Sequence, residues 1–171
     1  MKKVFLILIS IFILIFIIGL GCFTHFKAEQ EAIKKNDKLE AEKEFEELIL
    51  FCNENHDDIE EISAEVNKII KDNSSINYAG DIVSQITNPK WKQLSKQLQI
   101  SYPEDFNLSY NMVSYHDYSR QKKGPYALYV VYFNESEENI QNYLSGRFIS
   151  PSRYTKVSNH LYVCLFERQL V

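Results

Sequence analysis

The stretch YALYVVYFN, residues 126–134, is built of aromatic, β-branched and aliphatic side chains from its first position to Phe133 and carries no charge. A strand that is apolar on both faces belongs in the middle of a sheet and needs cover on each side. The neighbouring segments fit that placement. Upstream, Phe106, Leu108, Tyr110 and Met112 alternate with Asn107, Ser109 and Asn111, the period of two of a half-buried strand. The turn SRQKKGP, residues 119–125, joins the two. Downstream, Asn134 with Glu137 resembles a capping box opening a helix through Ile140, Tyr143 and Leu144, which Gly146 stops. RYTKVS, residues 153–158, and LYVCLFERQ, residues 161–169, read as two further strands joined at Asn159-His160.

Helices precede this sheet. Residues 27–51 lack Gly and Pro, and their second half sets Phe45, Leu48, Ile49 and Cys52 on one side. The first half is polar on nearly every face, and no apolar heptad is sustained across residues 34–43, which predicts a solvated stalk rather than a long coiled coil. A second helix is expected from Asn55, its cap, with Ile59, Ile62, Val66, Ile69 and Ile70 as its buried stripe. The break at residues 53–55 predicts an antiparallel pair with the preceding helix. A short helix follows near residues 81–86. Asn88-Pro89 then opens another, KWKQLSKQLQI, residues 90–100, with Trp91, Leu94 and Leu98 along one side. The fold class expected is α+β: a mostly antiparallel four-stranded sheet with one packed helix, preceded by a helical stalk and helix pair and by an N-terminal transmembrane helix.

That last element comes from VFLILISIFILIFIIGLG, residues 4–21, which follows Met1-Lys2-Lys3 and has Ser10 as its one polar side chain. At about 1.5 Å per residue, some 20 helical residues cross a hydrocarbon core of about 30 Å, so residues 4–23 suffice as a span. The expected organisation is a membrane anchor at 1–26, a helical juxtamembrane region at 27–100, and a sheet-containing part of the same exported domain at 101–171. Basic residues stand on both sides of the span, with Lys2 and Lys3 before it and Lys27, Lys34, Lys35 and Lys38 after it. A short basic leader ahead of an apolar helix is the usual export signal, so the domain is expected outside the cytoplasm, in a bacterial envelope. Ile18-Gly19-Leu20-Gly21-Cys22 resembles a bacterial lipoprotein processing site, which implies instead a lipid on Cys22 and cleavage after Gly21. The length of the apolar run favours the retained signal-anchor over that alternative.

Composition narrows the function more than it names it. The 171 residues are 45% hydrophobic and 25% charged, a globular balance rather than a disordered one. Residues 27–100 hold ten lysines against sixteen carboxylates, while residues 101–171 are neutral. Such a chain lacks the basic face that nucleic acid requires. There is no Cys-x-x-Cys or His-x-x-x-His pair for a metal and no Gly-rich phosphate loop, so no cofactor is expected.

Two sets of residues remain as candidates. Cys164, His116 and Asp117 are the residue types of a thiol nucleophile, its base and the group that orients the base. The expected state of Cys164 and Cys52 is nevertheless two buried thiols, a disulfide between them being the alternative. Tyr118, Arg120, Lys122, Lys123, Arg147, Arg153 and Tyr154 fall in loops and strand ends and are the residue types of binding hot spots. They point to a protein partner or a cell-envelope ligand. The function expected is therefore a membrane-anchored, non-catalytic binding module. The alternatives are a lipoprotein held through Cys22, a small Cys-dependent envelope hydrolase, and an assembly subunit. The last comes from a broad similarity to pilins, in which an apolar helix runs into a stalk and then a sheet. Here Lys3 leads straight into the apolar run without a processing glycine.

Overall fold

The computed structural model describes residues 2–72, 79–100, 112–116, 125–146 and 151–167, the side chains of residues 2–15, 17–19, 79 and 116 being outside that set. Two units are distinguished, Met1–Lys38 and Leu39–Val171, and the core lies in the second. The elements are α1 (Lys2–Asp72), α2 (Ala79–Val83), α3 (Trp91–Leu94), β1 (Gln99–Ile100), β2 (Met112–His116), β3 (Tyr126–Phe133), α4 (Glu137–Leu144), β4 (Arg153–Lys156) and β5 (Leu161–Glu167).

The α+β class holds, with five strands in place of four, in the order β1-β2-β3-β5-β4 and antiparallel at every contact. The apolar strand β3 is central, as its two apolar faces require. Its register splits the core in two. Leu128, Val130 and Tyr132, with Leu161, Val163 and Leu165 of β5, face Phe45, Leu48, Cys52, Ile59, Ile62 and Val66 of α1, together with Ile82, Trp91 and Leu94. Ala127, Tyr129, Val131 and Phe133, with Tyr162 and Cys164, face Ile140, Tyr143 and Leu144 of α4. Helices thus cover both faces of the sheet. The chain leaves β3 through α4, passes to the edge strand β4, and returns in a hairpin so that β5 fills the place beside β3.

Several boundaries differ from the sequence reading. The fifth strand is β1, where residues 99–100 were expected to continue a helix; α3 ends at Leu94 and Gln99 and Ile100 pair with His116 and Tyr115 of β2. The expected strand at 106–112 overlaps β2 only at Met112, and residues 101–111 lie outside the described set. The expected antiparallel helix pair is replaced by a kink, since only Asn55 leaves helical geometry (φ −123°, ψ 15°) and an αα-hairpin takes a loop of about 2–5 residues. Asn55 Nδ2 donates to the Phe51 carbonyl at 2.8 Å, so a side chain satisfies a backbone group at the bend. The cap of α4 is Ser136, whose hydroxyl accepts from Asn139 N, rather than Asn134. Asn88 does not cap α3 as expected: its Oδ1 accepts from Lys90 N at 3.0 Å in the turn ahead of the helix, which begins at Trp91 with Lys90 in the cap position and no side-chain capping bond.

The expected transmembrane helix finds no support in the structure. Among the described residues no helix is long and apolar enough to cross a membrane. The expectation for residues 4–23 stands on the hydropathy of the sequence.

Long-range polar contacts tie the connections to α1. The Glu65 carboxylate accepts from Thr87 N at 2.7 Å, Thr87 Oγ1 at 2.6 Å and Asn88 N at 3.2 Å. Two turns earlier on α1, Asp58 pairs with Lys90. In the core, the fully enclosed Tyr115 meets Ser63 Oγ with its hydroxyl at 2.7 Å, and Ser63 also donates to the Ile59 carbonyl at 2.6 Å. Burial holds the Tyr115 phenol far above its ordinary value.

Two outcomes follow for stability, measured by denaturant unfolding of the full chain in detergent. Tyr115→Phe removes one hydroxyl from a pair that Ser63 otherwise satisfies and is expected to cost about 1 kcal/mol. Tyr115→Ala also empties the ring's place and is expected to cost about 3–5 kcal/mol. At Glu65 burial raises the carboxyl's pKa, but hydrogen bonds from Thr87 and Asn88 outweigh it and hold the value below 4.5. A folded value below the unfolded one gives stability that is present above pH 4.5 and lost as the pH falls through the folded value. Glu65→Gln should flatten that acid limb of the stability curve; an unchanged limb would contradict the clasp.

Candidate functional site

The register places the thiol candidates on one row across the sheet. His116 pairs with Tyr129, Tyr129 pairs with Cys164, and Cys164 pairs with Tyr154. Neighbouring strands lie about 4.8 Å apart, so His116 and Cys164 are roughly 10 Å apart at their Cα atoms with Tyr129 between them. Cys164 is fully buried and burial pushes its thiol up to about 12, the reverse of what a nucleophile needs. Asp117 lies outside the described residues. Cys52 is equally buried, its thiol also pushed up to about 12 by burial. It belongs to the α1 side of the sheet and Cys164 to the α4 side. A bridge between them would have to pass through the sheet, and both are free thiols.

Of the binding candidates, Tyr118, Arg120, Lys122, Lys123 and Arg147 lie outside the described residues. The strands that carry them nevertheless end together. Tyr126, the start of β3, pairs with Glu167 at the end of β5, and Arg153, the start of β4, pairs with Leu165. The end of β2 is one row from that of Arg153 and three from that of Tyr126, His116 pairing with Tyr129. Both connections, β2 to β3 and α4 to β4, therefore attach at one end of the sheet.

Arg153 and Tyr154 begin β4 at that end but face opposite ways. Arg153 Nη2 donates to Glu46 Oε1 at 2.6 Å, and its guanidinium stands 4.7 Å from the centre of the Phe45 ring. This side chain clamps the edge strand onto α1, an ion pair reinforced by a cation–π contact. Tyr154 lies over the α4 side, 41% exposed, its ring 6.4 Å from that of Tyr162. Tyr154 is exposed, whereas Arg153 is engaged within the fold.

Two polar groupings are not legible in the sequence. At the β4–β5 turn, Ser158 Oγ donates to Glu60 of α1 and accepts from His160 N at 3.2 Å and Leu161 N at 3.1 Å. His160 Nδ1 lies 2.9 Å from the Phe133 carbonyl, which can only accept, so Nδ1 carries the proton. Serine, histidine and glutamate meet here wired as a turn: the carboxylate holds the serine and the imidazole holds the backbone. Beside Tyr154, Lys156 Nζ donates to Glu137 Oε1 at 3.2 Å, which raises the ammonium's pKa. Burial raises that of the neighbouring Tyr162 phenol. Lysine stays charged and tyrosine stays protonated, so neither is set to act as a base. Among the described residues no group of three His, Cys, Asp or Glu is placed to hold a metal ion. The Ser158–Glu60, His160–Phe133 and Lys156–Glu137 contacts join residues far apart in the chain, and periodicity carries no signal of them.

Family models, curated proteins and solved structures offer no match to this chain. The functional reading rests on its own residues.

The enclosed thiols give a direct chemical outcome. A neutral alkylating reagent at pH 8 should leave Cys52 and Cys164 untouched until denaturant is added. Mass spectrometry under non-reducing conditions should find no Cys52–Cys164 bridge. Rapid native labelling of Cys164 would contradict its burial and revive the hydrolase.

Proposed function

We propose that the chain is a single-pass membrane protein of a bacterial envelope, anchored through residues 4–23, whose α+β domain outside the cytoplasm acts as a non-catalytic binding module. The anchor is carried by the uncharged run of residues 4–21 directly after Lys2 and Lys3. The binding role is carried by one observation: the connections bearing Tyr118, Arg120, Lys122, Lys123 and Arg147 attach at a common sheet end, next to exposed Tyr154. Tyrosine and arginine supply stiff apolar area with a polar tip, and lysine supplies charge at the rim, the make-up of a protein-binding surface with acidic complement. The choice over a thiol hydrolase rests on Cys164, which has neither access nor an activated thiol. The lipoprotein reading through Cys22 is the second form of the anchor, and it leaves the binding surface unchanged.

Two measurements test the two halves. Alkaline carbonate should leave the full chain in the membrane pellet, and a C-terminal reporter that works only outside the cytoplasm should be active. A mature chain lacking its first 21 residues and carrying labelled palmitate would replace the span with a lipid on Cys22. Crosslinking in intact cells should capture a heteromeric product, and replacing Arg120, Lys122 and Lys123 together with alanine should lower its yield at least about fivefold. An unchanged yield would remove this end of the sheet from the reading.

A further inference from the structure

Within the unit Met1–Lys38, α1 carries an apolar seam with no cover of its own. Phe16, Phe23, Phe26 and Ile33 are 61%, 66%, 60% and 49% exposed. Their spacing fits one heptad register, with Phe16 and Phe23 at a and Phe26 and Ile33 at d. The same register sets Gln30 at a, Lys27 and Lys34 at e, and Glu29 at g. The seam ends where Asp37 and Glu40 take the next a and d positions, upstream of most of the stretch in which no apolar heptad is sustained.

We infer that this seam pairs two copies of the chain in parallel. The inference rests on the proposed anchor, because copies inserted in one orientation in one membrane meet side by side with their helices running the same way. Charge selects that arrangement independently. In a parallel pair each g position meets the e position of the following heptad, so Glu29 meets Lys34 of the second copy, twice by symmetry. An antiparallel pair would bring like charges together, glutamate against glutamate and lysine against lysine. Gln30 then faces Gln30 of the second copy, and an amide that both donates and accepts fixes the register. Phe16 and Phe23 belong to the proposed span, where lipid already satisfies apolar side chains. The drive to pair comes from Phe26 and Ile33 beyond it, which are exposed to water until a second copy covers them.

The test uses the full chain in native membranes, in a Cys22→Ser background that leaves only the buried Cys52 and Cys164. Single variants Phe26→Cys and Ile33→Cys, at the seam, are compared with Ala28→Cys and Lys35→Cys, on the outer face, after mild oxidation. Disulfide-linked dimer at positions 26 and 33 should exceed that at 28 and 35 at least about fivefold. Dimer at both seam positions requires parallel pairing, since an antiparallel pair centred on one would carry the other apart by roughly 20 Å. Lys34→Glu should lower the yield roughly threefold or more, and adding Glu29→Lys should restore it. Equal yield at all four positions, or no dimer at any, would overturn the seam. Alkaline carbonate on the same membranes separates the two readings. A chain that stays in the pellet with a flat pattern leaves the anchor standing and removes the seam. A released chain with the periodic pattern keeps the seam and removes the anchor.

Discussion

β3 hydrogen-bonds β2 on one side and β5 on the other, and from Ala127 to Phe133 every one of its side chains is buried. Neither face of such a strand can meet water, so each must be covered by another layer. α1 covers the face of Leu128, Val130 and Tyr132, and α4 covers that of Tyr129, Val131 and Phe133. This requirement explains why an eight-residue helix sits between β3 and β4. It also explains why β5, apolar like β3, takes the inner place in the sheet while the more polar β4 takes the edge. The edge carries Arg153 and Lys156, charges that discourage further pairing of strands.

The same layering decides what the reactive and charged residues can do. A thiol on β5 is enclosed beneath α4, which removes Cys164 from chemistry and sets it on the opposite side from Cys52. Polar and charged side chains near the sheet serve as straps to the helices: Arg153 to Glu46 and Phe45, Lys156 to Glu137, Ser158 to Glu60. Individually, exposed pairs of this kind contribute less than about 1 kcal/mol, so they orient the elements more than they stabilise them. The β2–β3 and α4–β4 connections attach at one end of this layered sheet.

Much of this fold is legible in the sequence wherever one face of one element decides the matter. The two apolar faces of residues 126–133, the stripe Phe45, Leu48 and Cys52, and the stripe Ile59, Ile62 and Val66 all read directly from period and burial. The misreadings share a cause in contacts with distant partners. Gln99 and Ile100 are a strand only because β2 lies beside them. Asn55 was read as a cap because it is a good one, but the apolar stripe continues past it from Cys52 to Ile59, so the helix bends there instead of ending. Nor does anything near Arg153 in the chain mark Glu46 or Phe45 as its partners. At the candidate site, the period of two marks Tyr154 as a strand residue, and the common attachment of the two loops emerges only from strand order.

The measurement that bears most directly on the doubly covered central strand is native-state amide hydrogen exchange, read residue by residue on the full chain. If β3 is closed off from both sides, the amides of Tyr126–Phe133 and their partners on β5 open only with global unfolding. They should then be the slowest to exchange in the unit Leu39–Val171, slower than α4 and the edge strand β4. Exchange of β3 amides at the rate of β4, or faster than α4, would mean that one face of the strand is open to water and would contradict the account.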